Sequence, residues 1–219
     1  MLFVARRIHM NKGFFISVEG TDGSGKSTQI KLIEEFFINL KYDIVMVREP
    51  GGTTIGEKIR EILLDKENSE MTEETEMYLY AASRAQLVKK VIIPSVNSGK
   101  IVICDRFVDS SLVYQGIGRG IGINSVLEVN KLAISNTMPD LTIFIEVDPT
   151  IALNRRSVET GFDRLEMEGV EFQNKIFNGY KELAVKFNER IKIIDGTKPV
   201  EEVFDSVKFW LEKLIGGCL

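Results

Sequence analysis

Short apolar runs alternate along this chain with stretches whose apolar residues recur at helical spacing. Phe14, Phe15, Ile16 and Val18 make the first run, and Tyr42–Val47, Lys100–Cys104, Leu141–Val147 and Ile191–Ile194 make four more. Such runs, with little polar alternation, read as strands buried on both faces. Between them, apolar residues three and four apart predict helices over Gln29–Leu40, Thr54–Leu64, a long stretch from Glu73 or Glu76, Val126–Asn136, Phe172–Phe187 and Val200–Leu214. In Thr54–Leu64 the expected packing stripe is Ile55, Ile59, Ile62 and Leu63; in the last helix it includes Val203, Val207, Trp210, Leu211 and Leu214. Asp148-Pro149-Thr150 predicts a capped helix start, while Pro94 and Gly99 punctuate the chain before the third strand. The alternation predicts an α/β fold with a mostly parallel sheet of about five strands covered on both faces. Neither an internal repeat nor an independent linker interrupts it.

The first strand breaks into a glycine-rich turn, GTDGSGKST, that leads directly into a helical pattern. Gly20, Gly25, Lys26 and Ser27 occupy the fixed positions of G-x-x-x-x-G-K-[ST]. Gly20, Gly23 and Gly25 let the backbone, with Asp22, Ser24 and Thr28, curl around a phosphate chain and aim amide hydrogens at it. Lys26 then reaches the β and γ phosphates, and the Ser27 hydroxyl suits Mg²⁺. A turn that merely caps a helix has no need of Lys26 beside Ser27, so the stretch points to a nucleoside triphosphate site.

At 219 residues the chain has the size of one substantial domain. The expected organisation is an N-terminal extension over 1–12 and a single domain over 13–219 with a short lid around 154–166. A formal charge of −4 argues against a nucleic-acid scaffold while leaving room for local basic clefts. No apolar stretch approaches the ~20 residues needed to span a bilayer, so neither a nucleic acid nor a membrane is an expected partner and the expected location is cytoplasmic. Cys104 and Cys218 are too few and too far apart for a disulfide framework, and Cys104 reads as a buried strand residue. His9, the only histidine, lies in the extension, which disfavours a histidine base or a multi-histidine metal site.

Other polar groups fall at strand ends, where open α/β sheets bind ligands. Arg48 and Glu49 precede Pro50-Gly51-Gly52, and Asp105-Arg106 follow the third strand. A carboxylate there can orient metal-bound water, and a guanidinium can clamp phosphoryl oxygens; a plain Asp-Arg salt bridge is the alternative. Tyr80 and Arg84 lie one helical turn apart and can meet a planar base, although Tyr80 alone would more often be a core residue. Ser110, Ser111, Tyr114 and Gln115 precede Gly116, Gly118, Gly120 and Gly122, and a charged region containing Arg155, Arg156, Asp163 and Arg164 follows later, suited either to closing over phosphates or to a solvated helix end.

The glycine loop, REPGG at Arg48–Gly52, AASRAQL at Ala81–Leu87, Asp105-Arg106 and Tyr114-Gln115-Gly116 occur in an order that resembles the thymidylate kinase family, especially its bacterial branch, from about Asn11 to Leu214. The resemblance implies a P-loop kinase fold with strand order 2-3-1-4-5, a homodimer, and Mg²⁺-assisted transfer of the γ-phosphoryl group of ATP to dTMP. It assigns Arg48 and Arg106 to the acceptor phosphate, Asp105 to Mg²⁺ and its waters, Glu49 to the phosphate and metal environment, and Lys26 to the migrating group. It assigns Asp22 to the 3′-hydroxyl, Tyr80 to stacking, Arg84 to thymine, and Ser111 and Gln115 to completing the base pocket. It places Arg155 against adenine, with Lys198 and Pro199 bordering the ring.

One departure bears on catalysis. Some family members carry an arginine in the phosphate loop and others supply that charge from the lid; here Asp22 is followed by Gly23. Arg156 is the leading candidate for the replacement cation. The competing readings are a deoxynucleoside kinase, an adenylate or uridylate kinase, and an ATP-responsive regulatory protein without turnover. Intact Lys26, Ser27, Asp105 and Arg106 argue against the last.

Overall fold

A computed structural model describes residues 12–155, 164, 165 and 168–217. In chain order the elements are β1 (Phe15–Glu19), α1 (Lys26–Asn39), β2 (Ile44–Arg48), α2 (Thr54–Leu64), α3 (Glu73–Leu87), α4 (Ile93–Asn97), β3 (Ile101–Asp105), α5 (Val108–Ser111), α6 (Ile123–Ile134), β4 (Leu141–Glu146), α7 (Pro149–Arg155), α8 (Gly169–Lys186), β5 (Ile191–Asp195) and α9 (Val200–Ile215). The five strands form one parallel sheet in the order β2-β3-β1-β4-β5, as the resemblance implied. β1 is central, so its neighbours β3 and β4 leave it in opposite directions. The loops after β1 and β3 therefore share the crevice where such sheets take ligands.

Alternation along β1 assigns its two faces. Ile16 and Val18 join Ile30, Ile33 and Phe37 of α1 and Val203, Val207, Leu211 and Leu214 of α9 in one buried layer. Phe15 faces the opposite way, toward Leu87, Ile92 and Phe107. On that same face, Ser17 and Glu19 are also fully buried, which is affordable only with partners. Ser17 Oγ meets Thr142 Oγ1 at 2.8 Å, and Asp109, whose carboxylate pairs with Arg190 at 2.6 Å, also accepts from Thr142 at 3.3 Å. Cys104 is buried in β3 as expected, and burial pushes its thiol well above the usual range. Trp210 packs partly buried on the α9 layer, with the Lys192 ammonium 4.5 Å from its ring centre.

Two expectations need correction. Pro94 does not end the helical run: a π-helical turn, Val88–Ile92, carries α3 into α4. There the Ile93 amide reaches Val88 O, and the residues that Pro94 leaves without a donor, Lys89 and Lys90, face solvent. The α2 stripe is not buried as a whole either, since Leu63 is enclosed but Ile55 and Ile62 are about half exposed. Elsewhere the predicted elements and the observed ones coincide within a few residues. Asp148 Oδ1 accepts from Thr150 N at 2.8 Å, closing the expected cap ahead of α7.

Candidate active site

A cleft of about 990 Å³ opens at the carboxyl ends of the strands, lined by residues 22–29, Arg48, Glu49, Tyr80, Arg84, Asp105, Arg106, Ser110, Ser111, Gln115, Arg155, Lys198 and Pro199 among others. The glycine loop forms its floor. Gly25 precedes α1 with φ 94°, a left-handed conformation that exacts little from glycine alone. Gly23 has φ 83°, and a Cβ there would lie 2.0 Å from Ala152 O of α7. An arginine at that position is therefore excluded by backbone packing, which gives the departure noted in the sequence a physical basis. Lys26 Nζ donates to Gly20 O and Thr21 O, both at 2.9 Å, and lies 3.4 Å from Asp22 Oδ1. Burial, then Arg106, lower its pKa against the pull of Asp22 and Asp105.

Arg106 begins the turn after β3 with φ 67°. Its Nη2 donates to Asp22 Oδ1 at 2.8 Å, while Nη1 donates to Tyr180 Oη at 3.3 Å and Ser110 Oγ at 3.4 Å. Burial alone would raise the Asp22 carboxyl, but Arg106 and Lys26 hold it well below the usual carboxylate range. Arg106 thus pairs with Asp22, and the simple Asp105–Arg106 salt bridge is not formed. Asp105 Oδ1 is instead buried without a protein partner, as is Glu49 Oε1. Burial pushes Glu49 up to about 7, even against Arg84. Arg48 sits at the rim, paired with Glu57 at 2.6 Å.

Farther along the cleft Arg84 is fully enclosed. Its Nε donates to Glu49 Oε2 at 2.8 Å, Nη2 to Ser111 Oγ at 3.1 Å, and Nη1 to Asn130 Oδ1. Tyr80 lines the same end, and Gln115 reaches it from a π-helical segment, Leu112–Gly118, that continues α5. Gln115 Nε2 donates to Glu76 Oε1 at 2.8 Å, and Glu76 also accepts from Arg119 at 3.1 Å and Arg164 at 2.5 Å. At the opposite end Arg155 donates to Gly196 O at 2.7 Å and Thr197 O at 3.4 Å, bracing the turn that carries Lys198 and Pro199.

One family model, described as thymidylate kinase, matches residues 18–207. The chain belongs to the thymidylate kinase family. It is 50% identical over 190 residues to a thymidylate kinase of Finegoldia magna, covering 87% of this chain and 93% of that one. To the thymidylate kinase of Clostridium novyi it is 45% identical over 205 residues, 93% of this chain and all of the relative. The crystal structure of thymidylate kinase from Ehrlichia chaffeensis superposes with a TM-score of 0.74 at 32% identity, covering 91% of this chain and 99% of the other. A thymidylate kinase is an ATP-dependent phosphotransferase, so the chain is an enzyme.

Within this kinase the fold gathers the expected site residues it describes onto one cleft, apart from Gly20, which precedes the lining stretch that begins at Asp22. Arg156 lies outside the described residues, as do most of the lid around 154–166, His9 and Cys218. Arg84 is the residue whose surroundings depart most from expectation: its donors are largely committed to Glu49, Ser111 and Asn130. Sequence reasoning missed Glu19, Glu76, Asn130 and Tyr180. A signal existed for Glu76, which shares one helical face with Tyr80 and Arg84 at steps of four residues. Glu19 stands on the buried face of a strand directly before the glycine loop, where a carboxylate is out of place without function or partners. Asn130 and Tyr180 carry no such local mark. Among the described residues no helix is long and apolar enough to cross a membrane.

Proposed function

We propose that the cleft carries out the family's reaction, transfer of the γ-phosphoryl group of ATP to dTMP to give dTDP and ADP, with the labour divided by position along it. The supporting observation is the Lys26–Asp22–Arg106 arrangement, which sets a cation of the phosphate loop and a cation of the β3 turn on one carboxylate. Two phosphate chains entering from opposite ends would meet there. Lys26 serves the donor side and the migrating group, while Arg106 and Arg48 serve the acceptor phosphate. The nucleophile is already a phosphate oxygen, so alignment and charge neutralisation matter more than a strong base.

Arg155, Lys198 and Pro199 border adenine. Tyr80, Arg84, Ser111 and Gln115 receive thymine, and Asp22 faces the 3′-hydroxyl once phosphates have taken its two cations. The residues present also fit Mg²⁺: Asp105 Oδ1 and Glu49 Oε1 are buried, unpartnered and on the cleft that Ser27 lines. Among the described residues no cluster of three metal-ligating side chains forms, which suits a cation that takes most of its ligands from phosphates and water. Ser27 and Asp105 would hold it, with Glu49 nearby. When bound it supplies positive charge to the β and γ phosphates.

Residues 13–219 form one catalytic domain with a lid around 154–166, and 1–12 are an extension. Arg156 is proposed as the cation that Gly23 cannot supply. The working form is a homodimer, for which Ile55, Ile62, Tyr78 and Leu132, exposed on the adjoining helices α2, α3 and α6, offer an apolar face. The location is cytoplasmic, without nucleic-acid or membrane partners. Coupled ADP formation across a panel of nucleoside monophosphates tests the reading and should give the highest kcat/KM with dTMP. Failure to form dTDP from folded protein with ATP and Mg²⁺ overturns it, and preference for thymidine over dTMP would expose a deoxynucleoside kinase.

A further inference from the structure

Glu76 stands outside the cleft, yet it touches the residue best placed to read the edge of a base. It is 1% exposed, and it faces Arg119 and Arg164, each within ion-pair distance. Two largely enclosed guanidinium groups keep it an ionised carboxylate, which can only accept hydrogen bonds. The side-chain amide of Gln115 could otherwise point either way in such a pocket. Facing Glu76 Oε1 at 2.8 Å, it must present its NH₂ end to Glu76. The amide oxygen is then the end left for the cleft that Gln115 lines.

Thymine and uracil carry a donor at ring position 3, the imide N–H; cytosine carries a lone pair there. An acceptor facing that position bonds the first two bases and repels the third. We infer that Glu76 is a positioning residue for base selection: it fixes Gln115 with its carbonyl toward the base, so that the cleft accepts an imide and refuses a cytosine ring. The inference rests on the proposed placement of thymine at the Tyr80–Gln115 end.

The test compares kcat/KM for dTMP, dUMP and 5-methyl-dCMP, the last matching dTMP in its methyl group and differing only along the edge in question. In Glu76→Gln the new amide donates or accepts, so Gln115 is free to turn over. The dTMP to 5-methyl-dCMP ratio should fall at least about tenfold, while the dTMP to dUMP ratio and the KM for ATP stay as in the unaltered enzyme. An unchanged dTMP to 5-methyl-dCMP ratio overturns the inference. Gln115→Met separates it from the underlying placement: if that variant keeps full discrimination, thymine lies elsewhere and both fall. If Gln115→Met loses discrimination and Glu76→Gln does not, only the role of Glu76 falls. Should Glu76→Gln fail to fold, a neutron structure of the unaltered enzyme with dTMP decides. Amide deuterons of Gln115 directed at Glu76 uphold the inference, and one directed at the base overturns it.

Discussion

Arg106 and Asp22 meet across the cleft, Nη2 to Oδ1 at 2.8 Å, and Asp22 also lies 3.4 Å from Lys26. The carboxylate belongs to the glycine loop, whereas Arg106 belongs to the turn after β3. On the proposed reading, substrate phosphates draw both cations away from the same partner. Asp22 is nearly half exposed, so its pairs are screened by solvent and yield to a phosphate carrying more charge. On the proposed reading Arg106 exchanges Asp22 for the acceptor phosphate while the hydroxyls of Ser110 and Tyr180 keep its other nitrogen in place.

Arg106→Ala should accordingly lower kcat/KM for dTMP by about 10²–10³, with less than a threefold change in the KM for ATP. Steady-state kinetics with each substrate varied in turn checks this. A rise in the ATP KM as large as that for dTMP would place Arg106 on the donor side.

Arg84→Ala carries a second cost besides its expected effect on dTMP use. The side chain is 1% exposed and bonds Glu49, Ser111 and Asn130. Removing it strands a buried carboxylate, which destabilises a fold by about 3–5 kcal/mol. Urea unfolding of the ligand-free variant should show a loss of that order. Arg84→Lys should not restore it, because a point ammonium cannot reach three divergent acceptors. Unaltered stability in Arg84→Ala would show that the buried network contributes nothing.

These two arginines mark what local sequence can and cannot convey. The strands, the glycine loop and the Asp105-Arg106 turn were legible because strand burial, helix periodicity and phosphate binding each impose a short-range pattern. The partners of those residues were not. Arg84 meets Asn130 from a helix 46 positions away, and Arg106 meets Tyr180 from one 74 positions away. Such pairings depend on which helices the crossovers bring against β1 and β3, and no spacing rule encodes them. The half-exposed Ile55 and Ile62 show the converse: periodicity identified an apolar stripe but could not say what covers it.

Arg156→Ala addresses the charge that Gly23 cannot provide, given the 2.0 Å approach of Ala152 O to a Cβ there. A cation acting on the migrating phosphoryl group stabilises the transition state more than either bound substrate. Turnover should fall by about 10²-fold or more, with dTMP affinity, measured by calorimetry, little changed. Unchanged kcat would eliminate Arg156 as the principal charge donor.

Glu19 supplies a prediction about pH. Its Oε1 accepts from Phe107 N at 2.7 Å, and its Oε2 accepts from Ser110 Oγ at 2.6 Å and Tyr180 Oη at 2.9 Å. Burial, reinforced by Asp109, pushes the carboxyl from 4.5 up to about 7, against opposing pulls from Ser110, Arg106 and the Phe107 amide. Between those two values the folded protein retains a proton that the unfolded chain has released. Stability from this group is therefore complete at the acid end of the window and is lost as pH rises through about 7. A displacement of that size is worth up to about 3 kcal/mol, or several degrees in Tm for a domain of this length. Glu19→Gln keeps an acceptor for the Phe107 amide and an NH₂ group for the two hydroxyls, and it cannot ionise. The Tm of Glu19→Gln minus that of the unaltered enzyme should become more positive from about pH 5 to about pH 8. Glu49, also raised to about 7, is present in both proteins and cancels from the difference. Asp22 and Glu76, held low, titrate below the window. A difference that stays flat across it would mean that Glu19 is ionised throughout, and that the hydroxyls of Ser110 and Tyr180 suffice to hold a charge at the base of the phosphate loop.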